Sequence, residues 1–346
     1  MKVSFVINEP IQSASGGYKV VYTYANEMAR SGIKVKIYYH CRKDVLLSNY
    51  KLPMGIKLMI ARWLSATGPK WFELDKKVGR KIITNISNNQ IEDADIVIAT
   101  AADTAKDVYA LDQGKGKKLY FIQGYEDWVM PVDELIATYK YDMRKIVVSR
   151  WLKKLVESYC NEHVDCVLNG IDKRVFYVKK SPEERKNKSI CMLYHDLESK
   201  GSKEGLEVIY RLKEKYPDLE VHLFGVVDQP SDLPSWISYT HNESMIYLSP
   251  SWNEGFGLTG AESMMSGCAL VSTETDGAKE YASANTAVLV KVHDTEEMYV
   301  KCCELFNNAD GRCKMANRGA EEVSELLNYN KAVEVFIKII NSMLTQ

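Results

Sequence analysis

Tyr247 to Glu280 reads YLSPSWNEGFGLTGAESMMSGCALVSTETDGAKE, and its reading decides the fold. The apolar run Met245 to Leu248 leads into it as a buried strand, with a turn at Pro250 and Ser251 and a glycine-bearing loop from Asn253 to Gly257. The spacing predicts a helix over Leu258 to Ser266, with Thr259 and Gly260 near its start. Gly267 stops it, and a second buried strand follows at Cys268 to Ser272. In this order, strand, loop, helix and strand form the unit with which an open α/β sheet offers a ligand site at the carboxyl ends of its strands. Backbone N–H groups in the loop and helix start suit phosphate oxygens. Glu254 comes from the loop and Glu262 from the first helical turns, so the stretch offers carboxylates for hydroxyls and amides for an anion. The spacing by itself also fits a solvated loop and a Glu favoured by the helix dipole.

The pattern S-x-x-E-G-F-G-L from Ser251 to Leu258, followed by E-x-x-x-x-G from Glu262 to Gly267, resembles the signature of the retaining glycosyltransferases of family four. That resemblance implies an α/β chain of GT-B fold, two Rossmann-like domains facing each other across a cleft. The expected division is 1–172 for an acceptor-side domain, 173–328 for a nucleotide-sugar domain and 329–346 for a helix crossing back onto the first. It also implies transfer of a sugar from a nucleoside diphosphate sugar to an acceptor hydroxyl with retention of configuration, and no cofactor or metal.

Working outward, 346 residues suit two domains better than one. Composition is that of an ordinary globular chain, 46% hydrophobic and 26% charged. A formal net charge of -1 provides no global basic field for nucleic acid. Eight irregularly spaced cysteines fit reduced thiols better than a disulfide framework, and Cys302 and Cys303 lack a partner pair at zinc spacing. The opening MKVSFVINEP reads as a first strand rather than a signal peptide, and no apolar run reaches membrane-span length. The expectation is a cytoplasmic protein.

Lys2 to Ile7, a loop from Gln12 ending in Gly16 and Gly17, a helix over Tyr18 to Ser31 and a strand over Lys34 to Tyr39 make a βαβ start. In the resembled family a glycine pair here lies near the donor phosphates and the acceptor, so Gly16 and Gly17 are carried over as binding positions. Leu46 to Phe72 is less regular, with Lys51, Lys57, Arg62 and Lys70 among Leu58, Met59, Ile60, Trp63, Leu64 and Trp71. Such a segment suits peripheral contact with the inner membrane face or a helix packed on its own domain, and the packed helix is the preferred reading. Strand and helix then alternate from Asp95 to Leu168, which argues for a largely parallel sheet covered on both faces.

Within that alternation, Tyr120 to Trp128, YFIQGYEDW, leaves a strand end with an amide, aromatics and acids. With Ile91 to Thr100 it resembles the family subgroup that contains rhamnosyltransferases using dTDP-rhamnose. Many members have a histidine near this strand end, where this chain has Gln123 and Tyr125. These two are expected to hydrogen-bond the transferred sugar, while Tyr120, Phe121 and Trp128 either offer an apolar surface to a deoxysugar methyl or belong to the core.

Asn169-Gly170-Ile171-Asp172 with Phe176 resembles the family's crossing into its second domain, and Lys179 to Lys188 reads as a charged linker. Lys200, before Gly201, matches the family's diphosphate-binding lysine. The family's arginine position falls in Tyr194-His195-Asp196, without an arginine, so either His195 joins the phosphate or Lys200 acts alone. The diphosphate is expected on Lys200 and the N–H groups around Gly257 and Leu258, within the loop Glu254, Gly255, Phe256, Gly257. Glu262 is expected on the ribose hydroxyls, and Glu254 on the transferred sugar or its developing positive charge. Trp236 to Thr240 reads as a strand only four or so residues before the next one, too short a connection for parallel strands. The expectation is therefore that the continuous numbering conceals a longer crossover. The acceptor is expected to be a polysaccharide or lipid-linked glycan. Alternatives are a nucleotide-sugar epimerase or hydrolase, a phosphorylase (which would need a longer chain), and a non-catalytic sugar-binding scaffold.

Overall fold

The computed structural model describes residues 1–11, 14–42, 46, 51–225 and 233–345, the side chains of 233–236 excepted. The chain divides into unit 1, Met1–Leu168 with Ala332–Gln346, and unit 2, Asn169–Lys331. Residues 12 and 13 of the loop before Gly16 lie outside the described residues.

Unit 1 contains β1 (Lys2–Asn8), α1 (Gly16–Arg30), β2 (Lys34–His40), α2 (Met54–Thr67), β3 (Gly79–Ile83), β4 (Ile96–Ala99), α3 (Ala102–Tyr109), β5 (Lys117–Ile122), α4 (Val132–Tyr139), β6 (Arg144–Val147), α5 (Arg150–Cys160) and β7 (Asp165–Cys166). The sheet order is β3-β2-β1-β4-β5-β6-β7, and every pairing is parallel. Strands in such a sheet are covered on both faces and read as unbroken apolar runs, as β1 does in KVSFVIN. Phe5, Ile37, Ile98, Phe121 and Ile146 are wholly buried at its centre.

Within the irregular stretch between Leu46 and Phe72, whose residues 47–50 lie outside the described ones, Met54–Thr67 form the helix α2, and β3 is a strand that the periodicity did not announce. Its sequence GRKII is only partly buried at the sheet edge, so it lacks the apolar run that marks the inner strands. Arg80 of β3 donates to the carbonyls of Ser65 and Ala66 at the end of α2, satisfying carbonyls that have no intrahelical partner.

Unit 2 contains β8 (Ser189–Tyr194), α6 (Ser202–Lys215), β9 (Glu220–Gly225), α7 (Leu233–Glu243), β10 (Ile246–Ser249), α8 (Leu258–Met265), β11 (Ala269–Thr273), β12 (Ala287–Val290), α9 (Thr295–Asn307) and α10 (Ala309–Leu326). The order is β12-β11-β10-β8-β9, again parallel throughout. Ile190, Met192, Leu212, Leu248, Val271 and Phe306 belong to its core. The last helix, α11 (Tyr329–Thr345), stacks Phe336 on Tyr24 of α1 at a 4.0 Å centroid distance and sets it edge-on to Phe121.

The expected strand at Trp236 to Thr240 is instead part of α7. This helix supplies the crossover from β9 to β10 within the existing numbering, and no concealed residues are needed. Its local composition favours a strand, and tertiary contacts override it. Among the described side chains of α7 the buried ones are polar. The Ser238 hydroxyl donates to the Val175 carbonyl, and the Asn242 amide donates to the carbonyls of Ser238 and Tyr177. His241 lies among the rings of Phe176, Phe224 and Tyr247. A helix that buries Ser, His and Asn leaves no apolar stripe to read. The charged linker also holds a buried member. The Arg185 guanidinium donates to the carbonyls of Lys180, His241, Ser244 and Gly267, tying the linker to the end of α7 and the turn before β11.

Candidate functional site

In unit 2 the loops after β8 and β10 leave neighbouring strands at their carboxyl ends, and backbone contact holds them together. Gly201 adopts φ +65, and a Cβ there would lie 2.1 Å from the Pro250 carbonyl oxygen, so only glycine fits this approach. The Trp252 N–H donates to the Ser199 carbonyl at 2.8 Å and joins the same two loops. As a result Lys200 Nζ meets Glu254 Oε1 at 2.7 Å, although 54 residues separate them in sequence. Both side chains are only partly exposed, at 25% and 16%. An ammonium held this way keeps further N–H directions for a second anion.

A third segment supports the Glu254 loop from behind. A Cβ on Gly277 would come within 2.5 Å of the Glu254 carbonyl oxygen and 2.9 Å of the Phe256 backbone, so Asp276-Gly277 presses directly on the loop. The Tyr281 hydroxyl donates to the Gly257 carbonyl at 2.7 Å, and burial, then the charges of Glu254 and Glu262, hold that phenol protonated. Gly257 precedes α8, whose first N–H groups start at Leu258. Glu262 lies inside α8 and is 97% buried by its 3% exposure, so the two carboxylates differ: one in a loop, one in the helix as its spacing predicted. The Phe256 side chain is buried against Tyr281.

His195 follows β8 directly. Its Nδ1 accepts from the Leu197 N–H at 2.9 Å, which leaves Nε2 as the protonated, donating nitrogen. Burial, then the Lys200 charge, hold the imidazole below its ordinary pKa and so neutral. Where the resembled family has an arginine, this chain presents a neutral N–H donor beside Lys200.

In unit 1 the expected residues also gather at strand ends. Gly16 and Gly17 open α1, and a Cβ on Gly17 would sit 3.5 Å from the Gln123 amide nitrogen, an ordinary contact. Gln123 donates weakly to the Thr100 carbonyl at 3.4 Å. Tyr125 is half-buried in the loop after β5, its phenol pKa raised by burial and then by Tyr159. Of the two readings open for Tyr120 and Phe121, the core is the one they take, at 1% and 0% exposure; Trp128 alone of the three is exposed.

Four further residues join this end of the sheet. Asn8 Nδ2 donates to both Asp103 oxygens at 3.3 and 3.2 Å, and Arg42 Nη1 pairs with Asp103 at 3.3 Å. Glu126 accepts from the Ala102 N–H at 2.6 Å, at the start of α3. Burial raises the Glu126 carboxyl to about 7, against the bond from Ala102 and with a smaller push from Asp103. Asn8 Oδ1 and Arg42 Nε are buried without a hydrogen-bond partner among the described residues. Sequence reasoning missed this set. The available signal was position, since each lies at or within four residues of the carboxyl end of β1, β2, β4 or β5.

Among the described residues no group of three or more His, Cys, Asp or Glu side chains is placed to hold a metal ion.

The family model described as Glycosyl transferases group 1 matches residues 199–308, less than half of the chain. No curated protein sequence matches it. Among solved structures, the chain is similar to sucrose-phosphate synthase from Thermosynechococcus elongatus, at TM-score 0.72 and 12% identity over 99% of each chain. It is similar to a mutant S. aureus TarM in complex with Fondaparinux, alpha-GlcNAc-glycerol and UDP, at TM-score 0.71 and 10% identity over 100% of each chain. Anabaena HepE in complex with UDP and glucose aligns at TM-score 0.71 and 11% identity, over 99% of this chain and 100% of that one. At these identities the likeness shows the fold: two Rossmann-like α/β domains of the GT-B type.

Proposed function

We propose that this chain is a retaining glycosyltransferase that moves a sugar from a nucleoside diphosphate sugar to a glycan acceptor. The observation that carries the reading is the Lys200–Glu254 pair, a cation and a carboxylate brought to 2.7 Å at the carboxyl ends of adjacent parallel strands. The family match supports it, since residues 199–308 span Lys200, Glu254 and Glu262.

In this reading the donor diphosphate lies on Lys200, the His195 Nε2–H and the N–H groups from Gly257 and Leu258. Departure of the diphosphate builds negative charge on its leaving oxygen, and preorganised donors of this kind lower the barrier. Glu262 accepts from the nucleoside ribose. Glu254, oriented by Lys200, holds the sugar hydroxyls and stabilises the positive charge that develops at the anomeric carbon. The residues of unit 1, Gly16, Gly17, Gln123 and Tyr125 with Asn8, Arg42, Asp103 and Glu126, receive the acceptor and the transferred sugar. The work is cytoplasmic, on a growing polysaccharide or a lipid-linked precursor.

For the donor we rank a UDP-hexose ahead of dTDP-rhamnose. Tyr120 and Phe121 are core residues, which removes most of the apolar surface that motivated a deoxysugar, and the compared TarM and HepE structures hold UDP. A panel of nucleotide sugars, with mass-spectrometric detection of free sugar and of transfer to oligosaccharide or lipid-linked acceptors, tests both levels. Turnover of dTDP-rhamnose alone would reverse the ranking and keep the enzyme class. Release of free sugar with every donor and transfer to no acceptor would favour a hydrolase or epimerase instead.

A further inference from the structure

We propose that α2 is a membrane-docking helix that lays its outer face on an anionic phospholipid surface. The two readings open at the sequence level, core helix or membrane helix, describe opposite faces of one element. On the inner face, Met54, Leu58 and Ala61 pack with Cys41, Leu46 and Ile82, and Arg80 holds the C-terminal carbonyls, so the helix is seated on unit 1. On the outer face, Ile56, Met59 and Trp63 are 41%, 62% and 61% exposed. Helical geometry gathers these three within an arc of about 60°. Scattered apolar residues on a surface need no explanation, but three large ones aligned on one helical face do.

Charge complementarity decides the occupant. Between Val45 and Phe72 the sequence has four basic residues, Lys51, Lys57, Arg62 and Lys70, and no Asp or Glu, in a chain whose net charge is -1. Lys57 and Arg62 project from opposite flanks of the apolar arc, about 130° and about 90° from its centre. An apolar strip bordered on both sides by cations matches the boundary between acyl chains and anionic headgroups, with the helix lying in the plane of the interface. Among the described residues no helix is long and apolar enough to cross a membrane, so the contact is peripheral. The inference stands apart from the glycosyltransferase reading and needs no donor or acceptor for its test.

The test is co-sedimentation of the full chain with vesicles of phosphatidylcholine alone and of phosphatidylcholine mixed with phosphatidylglycerol. Binding is expected only to the anionic vesicles and is expected to weaken as salt rises. The double variant Met59→Ser/Trp63→Ser should lower partitioning about tenfold or more. Lys57→Gln/Arg62→Gln should remove the preference for the anionic vesicles. Both pairs are surface positions outside the proposed catalytic and binding residues, and unchanged thermal melting shows that each variant is folded. Absence of binding to anionic vesicles overturns the proposal, as does binding that both double variants leave intact. Wild-type self-association in solution that Met59→Ser/Trp63→Ser abolishes, without vesicle binding, would also overturn it by assigning the face to a second copy of the chain.

Discussion

In unit 2 the polar groups of the site come from two loops locked together by backbone contact, whereas in unit 1 they come from four strand ends and hold one another. The Lys200–Glu254 pair depends on Gly201 lying flat against Pro250 and on the Trp252 to Ser199 bond, so main-chain packing sets its position. Among the described residues the unit 1 set is joined through side chains. Asn8 and Arg42 converge on Asp103 through side chains, and Glu126 reaches only the amide that opens α3. The first arrangement suits a ligand part that is always the same, a diphosphate. The second suits a variable partner, because side-chain networks can exchange partners at small cost.

The comparison is broken most sharply at Glu254. Glu254→Gln keeps the shape and a hydrogen bond to Lys200 but loses the charge. Turnover should fall about 100-fold or more, as for loss of one preorganised electrostatic group, with little change in affinity for the bare nucleotide. Steady-state kinetics beside nucleotide titration read the two separately. Unit 1 should answer differently: Asp103→Asn should raise the acceptor KM about tenfold and leave nucleotide affinity unchanged. An equal loss of nucleotide affinity in both variants would erase the distinction between the two regions.

A separate effect belongs to Glu126 and concerns stability. Its folded pKa of about 7 lies above the ordinary 4.5, so the folded state holds the proton more tightly than the unfolded chain. The resulting stability is fully present below pH 4.5 and is lost as pH rises through about 7. Glu126→Gln still accepts from Ala102 but does not titrate. Denaturant unfolding of the wild type against this variant should therefore diverge by about 3 kcal/mol between pH 4.5 and 8. Parallel curves would mean that Glu126 ionises as a solvated carboxyl does.

What could be read from the sequence follows the same division. Glu254 and Glu262 lie in one contiguous strand–loop–helix, so their spacing carried the local structure, while their proposed chemistry came from the resemblance. Lys200 was legible only through the resemblance, since a lysine before a glycine is otherwise a solvated loop residue. Asn8, Arg42, Asp103 and Glu126 are scattered over four connections, and only the strand order β2-β1-β4-β5 brings them together. Helix α7 was misread because its buried Ser238, His241 and Asn242 are polar, and β3 was missed because an edge strand of Gly, Arg and Lys has no apolar run. Burial satisfied by hydrogen bonds rather than by apolar area leaves no periodicity in the sequence.

The central claim is that Lys200, paired with Glu254, holds the diphosphate of a donor. Calorimetric titration of UDP into the wild type, Lys200→Ala and Glu254→Gln tests it directly. The account predicts micromolar-range binding to the wild type, a loss of about 10- to 100-fold in Lys200→Ala from the missing ammonium–phosphate bond, and near wild-type affinity in Glu254→Gln. Equal UDP affinity in wild type and Lys200→Ala would contradict it.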